Sequence, residues 1–176
     1  DVFCAVGTSI LGYSNSNVNN SVSGMIKKGN MTSLNCPEEV YLSKKILKHH
    51  SWASMSKFTR GGGEANAVAI RIARSNTRKK NVAFCGYHGW HDWYLATNMS
   101  NSKNLDKQLL PGLKTKGVSN SFKNSIKPFM YNDIKSLKKI FRKKNNNIGI
   151  IIMEPMRGVK PLGNFLKQVK SIAKKN

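Results

Sequence analysis

The sequence predicts an α/β fold: a three-layer αβα arrangement with helices on both faces of a mostly parallel sheet. Three observations carry this. Short apolar runs at Val82 to Cys85 and Ile148 to Met153 alternate with stretches whose apolar residues recur at helical spacing. The run Ile148-Gly149-Ile150-Ile151-Ile152-Met153 is apolar throughout, as expected of a parallel strand covered on both faces. Glycine-rich or aromatic segments stand next to the strand-like runs, and ligands in such folds sit at the carboxyl ends of strands.

Taken in order, Asp1 to Tyr13 reads as an extended leading segment, and Ser14 to Asn20 as a polar turn able to cap a helix. Val22 to Lys28 reads as a short helix stopped by Gly29. Met31 to Cys36 is a loop. Pro37-Glu38-Glu39 then begins a helix, with proline at its first position, acids in the first turn and Lys44, Lys45 and Lys48 further on. Its Val40, Leu42, Ile46 and Leu47 can face a core. Met55 to Thr59 looks strand-like and leads to Gly61, Gly62 and Gly63. A helix follows with the stripe Ala65, Val68, Ala69, Ile72 and Ala73. The strand Val82 to Cys85 runs into Tyr87-His88-Gly89-Trp90-His91-Asp92-Trp93. Ala96 to Ser125 is poor in pattern, and a connection that long is either functional or mobile. Pro128 to Tyr131 returns to the sheet. Asn132 or Asp133 can cap a helix over Ile134 to Lys144 with the stripe Ile134, Leu137, Ile140 and Phe141. After the Ile148 strand come Glu154-Pro155 and a last helix, Phe165 to Lys175.

Composition narrows the classes. The formal charge is +22, from 30 Lys and Arg against 8 Asp and Glu. Such a field attracts polyanions. Yet the basic residues spread over helix faces and loops and are not interleaved with aromatics, so they read as a solvated surface. Nucleic acid is not the expected partner. No apolar run approaches the ~20 residues that span a bilayer, and no leader pattern opens the chain. Cys4, Cys36 and Cys85 are odd in number and far apart, which suits unpaired thiols in a reducing, cytoplasmic setting.

Three candidate site elements fall at strand ends. Gly61, Gly62 and Gly63 open a helix, where free N–H groups and the helix dipole form an anion seat and glycine lets a ligand approach the backbone. The segment is neither a Walker loop nor a GxGxxG fingerprint, so nucleotide hydrolysis and dinucleotide binding are not supported. Tyr87 can stack on a flat ligand, with His88 beside it, or belong to a structural aromatic cluster. Cys85, His88 and His91 lack the pattern of a fourth zinc ligand, so no metal is expected. Glu154, at the end of a buried strand, must be paired or hydrogen-bonded. Arg157 is close enough in sequence to orient an anion or to pair with it.

These residues together resemble the class III (subgroup II) pyridoxal-phosphate-dependent aminotransferases, in the branch similar to glutamate-1-semialdehyde 2,1-aminomutase. The matching motifs are Gly61-Gly62-Gly63-Glu64-Ala65 with the following Ala69-Ile70-Arg71-Ile72-Ala73-Arg74, then Tyr87-His88-Gly89, then Ile151-Ile152-Met153-Glu154-Pro155. Gly12 to Leu47 is similar to the family's opening region. The resemblance implies a fold type I large domain with pyridoxal 5'-phosphate as cofactor. Residues 1–50 would form the N-terminal segment, and 51–176 the first half of that domain. The Gly61, Gly62 and Gly63 amides would hold the phosphate, Tyr87 would stack on the ring beside His88, and Glu154 would stand near the cofactor. The family transfers an amino group between a small-molecule donor and a carbonyl acceptor, and works as a homodimer.

The sequence also departs from the family pattern. Gly63 replaces a usual threonine, Arg60 a common asparagine, and Val159 a residue often polar. The family's aspartate for the pyridine nitrogen and its Schiff-base lysine are expected beyond Asn176, so no catalytic residue is assigned. Lys114 and Lys116 precede the Glu-Pro strand and are not substitutes. The expectation is therefore an aminotransferase or aminomutase segment that is catalytically incomplete by itself. The alternative is a non-catalytic assembly module of the same fold.

Overall fold

A computed structural model describes residues 4–29, 33–108, 111–143, 146–156 and 158–176. The backbone divides into two units, Asp1–Lys57 and Phe58–Asn176.

In the first unit, Cys4–Gly7 is a short 3-10 turn with Ala5 and Val6 in left-handed conformations, so the segment expected to be extended is coiled where it is described. Helix α1, Ser16–Lys28, starts earlier than periodicity suggested. Its cap explains why: the Asn15 side chain accepts the Val18 N–H at 3.2 Å, turning the polar stretch into the first turns of the helix. Gly29 ends it with a φ of 103°, as expected. Met31 and Thr32, in the expected loop, lie outside the described residues. Helix α2, Pro37–His49, follows its proline and acidic first turn as predicted. Neither α1 nor α2 buries a residue; Val40 and Leu42 are about half exposed rather than facing a core. Residues 55–59, expected to be strand-like, are irregular and have no partner in the sheet. A strand without a neighbour has no ladder to hold it.

The second unit is built on a parallel sheet. Strand β1 is Asn81–Cys85, β2 is Ile126–Pro128 and β3 is Ile148–Met153, in the order β2-β1-β3. Phe84 lies opposite Pro128 on one side and Ile152 on the other. Helix α3, Gly62–Thr77, precedes β1, and the four-residue helix α4, Asp92–Leu95, follows it. Helices α5, Ile134–Arg142, and α6, Phe165–Lys175, flank β3 in sequence. Successive strand residues point to opposite faces. Val82 and Phe84 therefore join Ile70, Trp93 and Tyr94 in one core, while Ala83 and Cys85 join Phe129, Leu137, Phe165 and Val169 in the other. Helices α3 and α4 thus cover one face and α5 and α6 the other, giving the predicted three layers.

Several details differ from the sequence reading. In α3 the buried position is Ile70, while Ile72 is 58% exposed. The face turned inward carries Gly63, Asn66, Ala67, Ile70 and Arg74, so polar contacts outweigh the apolar stripe. Asn66 donates to the His88 carbonyl and Arg74 Nε to the Lys80 carbonyl. Strand β3 is an edge among the described strands, so most of it is half-buried and only Ile148 is buried. Strand β2 begins at Ile126 rather than Pro128 because the ladder needs Ile126 opposite Val82. Helix α5 keeps the expected stripe with Leu137 buried; Lys144 at its expected end is not described. The pattern-poor stretch 96–125 is packed in part: Ala96, Thr97, Asn98, Leu105 and Gln108 are buried. Among the described residues no helix is long and apolar enough to cross a membrane.

Candidate functional site

In an αβ unit with short connections the helix runs antiparallel to the strand that follows it. The start of α3 therefore lies at the carboxyl end of β1, and two contacts fix it there. An added Cβ on Gly89, whose φ is 93°, would come within 2.7 Å of the Gly63 Cα, so these two backbones touch. One turn into α3, the Asn66 amide donates to the His88 carbonyl at 3.2 Å. The loop 87–91 thus lies across the mouth of α3. Glycine at both contact positions is what allows the approach.

The mouth carries unused donors. Gly61 caps α3 with an extended φ of −158° and no side-chain cap bond. Glu64 Oε2 instead accepts the Arg60 N–H at 2.9 Å, and the first backbone bond of the helix is Ala65 N–H to the Gly61 carbonyl. The N–H groups of Gly62, Gly63 and Glu64 therefore meet no acceptor among the described residues. No atom lies within 4 Å of where a Cβ would stand at Gly61 or Gly62. Together with the dipole of a 16-residue helix, this is a seat for an anion.

The end of β1 is tied by a set of hydrogen bonds centred on Gly86. Its N–H donates to Gln108 Oε1 at 2.8 Å, and its carbonyl accepts from the Tyr94 hydroxyl at 3.0 Å. Gln108 Nε2 also reaches the Phe129 carbonyl at 3.0 Å, linking the ends of β1 and β2. The next residue, Tyr87, donates its N–H to Glu154 Oε2 at 3.1 Å, which links β1 to the end of β3. Gly86 has a φ of 96°, and a Cβ there would fall on the Glu154 carboxylate. The half-buried Tyr87 ring meets Trp90 and Tyr94 edge-on, with centroids 5.9 and 6.0 Å apart. Among the described residues no group of three His, Cys, Asp or Glu side chains gathers in a way that could hold a metal ion.

Charge at the site is set by burial. Cys85 is pushed up to about 11, first by desolvation and then by the Glu154 carboxylate, so its thiol stays protonated and is no nucleophile near neutrality. His88 is held below its usual value because burial outweighs both the Cys85 carbonyl and Glu154, which act the other way. Since a carbonyl only accepts, His88 Nε2 is the donor in its 2.9 Å bond to the Cys85 oxygen.

The structure therefore brings Tyr87, His88 and Glu154 together at the strand ends, with the loop that carries Tyr87 and His88 against Gly63. Arg157 lies outside the described residues. Sequence reasoning missed Gln108, Tyr94 and Asn66 as site-shaping residues. Gln108 had no local signal at all, since it sits in the pattern-poor stretch and acts across 22 residues of chain.

The family model for class-III aminotransferases matches residues 1–176, the whole sequence. The chain belongs to this family. A glutamate-1-semialdehyde 2,1-aminomutase of Francisella philomiragia is 31% identical over 176 residues, covering 97% of this chain and 40% of its own length. A 3-aminobutyryl-CoA aminotransferase of Cloacimonas acidaminovorans is 30% identical over 180 residues, covering 98% and 39%. An omega-transaminase from Sphaerobacter thermophilus shares the fold at a TM-score of 0.83 with 20% identity, covering 98% of this chain and 41% of its own. The chain thus spans about two fifths of the relatives it matches. The match spans the glycine mouth, the Tyr87 loop and the end of β3.

Proposed function

We propose that this chain forms the part of a pyridoxal-phosphate-dependent aminotransferase that seats the cofactor's phosphate and ring. The observation that carries the reading is the mouth of α3, whose N–H donors stand unused beside an aromatic loop. A phosphate fits there because Gly61 and Gly62 leave open space for it. Tyr87 offers the ring a flat face, and neutral His88 adds a polar group without a charge. Glu154 holds the Tyr87 backbone in place through the Tyr87 N–H. Bound there, pyridoxal phosphate would supply the electron sink through which an amino group passes from a small-molecule donor to a carbonyl acceptor. A second reading, intramolecular transfer of the aminomutase kind, is favoured by similarity to curated aminomutases.

We also infer a cytoplasmic homodimer, with residues 1–50 as an N-terminal segment ahead of the cofactor domain. Free thiols at Cys36 and Cys85 support the compartment. The exposed stripe Val18, Val22 and Ile26 on α1 supports a surface that a partner covers. The test is fluorescence titration of the chain with pyridoxal 5'-phosphate, using Trp90 and Trp93 as reporters. Saturable quenching that inorganic phosphate reverses is expected, and Tyr87→Ala should weaken it roughly fivefold, the value of one aromatic contact. Absence of saturable quenching would remove the reading.

A further inference from the structure

Loop 87–91 meets the mouth of α3 through a third contact besides the Gly89–Gly63 approach and the Asn66 bond. A Cβ placed on Gly63 would stand 2.8 Å from His91 Cδ2 and 3.1 Å from His91 Nε2. The imidazole therefore occupies the space that a side chain at residue 63 would need. Its position is not explained by capping. His91 is the N-cap of α4, but its side chain makes no cap bond, and only its carbonyl serves that helix by accepting from Tyr94 and Leu95. The ring is exposed and has no hydrogen bond among the described residues. A polar ring with an uncommitted nitrogen thus stands beside unused N–H groups at the start of a long helix.

We propose that His91 is a phosphate-binding residue of this site, its Nε2–H adding a side-chain donor to the backbone amides of Gly62, Gly63 and Glu64. This rests on the reading of the α3 mouth as the cofactor's phosphate seat. It assigns to the aromatic loop a second task besides presenting Tyr87. The loop brings ring and phosphate contacts to the ligand together, so a ligand with both groups would order it at two points. It also explains why glycine suits residue 63. A side chain there would push the exposed imidazole aside, and the donor that residue 63 lacks comes from residue 91.

The test is the same fluorescence titration, run with pyridoxal 5'-phosphate, inorganic phosphate and phosphate-free pyridoxal. His91→Phe keeps an aromatic ring at the position and removes the donor. It should raise the dissociation constants for pyridoxal phosphate and for inorganic phosphate roughly tenfold, as loss of a hydrogen bond to a charged group does, and leave that for pyridoxal unchanged. His91→Gln, which keeps a donor, should stay within about threefold of the original chain. The pair Gly63→Thr with His91→Ala puts a hydroxyl where the ring stood. It should bind phosphate more tightly than either single variant. Melting temperatures of the Phe and Gln variants check that the fold is kept. Unchanged phosphate binding in His91→Phe, with the original chain binding normally, overturns the role of His91 alone. If the original chain binds pyridoxal phosphate no better than pyridoxal, the phosphate seat itself falls, and the role of His91 with it.

Discussion

Helices α1 and α3 have similar credentials on paper, and the structure treats them differently. Both carry apolar residues at helical spacing, and both start at a residue suited to a helix cap. Helix α1 buries nothing: Val18, Val22 and Ile26 are 46, 52 and 59% exposed. Helix α3 buries Ile70 at 2% exposure and is pinned by polar contacts at its start and its end. The lesson is that periodicity marks a helix with an apolar side, while coverage of that side depends on what the rest of the chain supplies. In residues 58–176 the supply is the sheet. In the Asp1–Lys57 unit, α1 and α2 bury none of their residues.

The largest expected effect tests this contrast directly. Phe84 is fully buried in β1, against Tyr94 and His88. Phe84→Ala should cost about 3–5 kcal/mol in urea denaturation. Ile26→Ala on α1 should cost less than about 1 kcal/mol, since the side chain is already mostly in water. Similar costs for the two would mean that α1 is covered in solution.

A smaller difference separates two glycines. Gly86→Ala forces a left-handed residue and drives a methyl onto Glu154. A loss of about 1–3 kcal/mol is expected, with weaker binding of pyridoxal phosphate, because the Tyr87–Glu154 bond must shift. Gly61→Ala meets open space and extended backbone, and should cost under about 1 kcal/mol.

The contrast also shows which parts were legible. Strand β3 and helix α6 were read to the residue, because their patterns are local and uninterrupted. The position of the three glycines at a helix start and of Glu154 just past a strand was legible, because the pattern marks those ends. The hydrogen-bond set around Gly86 was not. Gln108 joins β1 to β2 from a stretch with no periodicity, and only the folded chain brings it there. The inward face of α3 was misread for a related reason. Asn66 and Gly63 face inward for contacts with residues of the 88–91 loop, which no hydropathy pattern within the helix can show.

Two titrating groups at the strand ends give pH signatures of their own. Cys85 is raised from 9.0 to about 11, so between those values the unfolded chain gives up a proton that the folded chain keeps. Stability should be full below pH 9 and fall across that window, and Cys85→Ala should flatten the fall. His88 moves the other way. Its folded value lies below 6.5, so on acidification the unfolded chain takes up the proton first. Stability should decline as pH drops through 6.5, and His88→Gln should remove that decline. Circular dichroism melts across pH check both. A slope that survives in both variants would place its origin elsewhere.

A last, small effect compares two caps in which a side-chain oxygen accepts backbone N–H groups, an amide in one and a carboxylate in the other. Asn15 accepts one N–H at the start of α1, and Asp133 accepts those of Lys135 and Ser136 at 2.9 and 3.1 Å at the start of α5. Either change to alanine should cost about 1 kcal/mol of helix stability. The cost should be felt in different places. Helix α5 buries Leu137 against the sheet, so Asp133→Ala should lower the stability of the whole 58–176 unit and speed amide exchange in β1 as well. Helix α1 buries none of its residues, so Asn15→Ala should speed exchange within α1 and leave β1 unchanged. If exchange in β1 responds equally to both caps, the two units unfold together, and the exposed face of α1 is not a region of lower local stability.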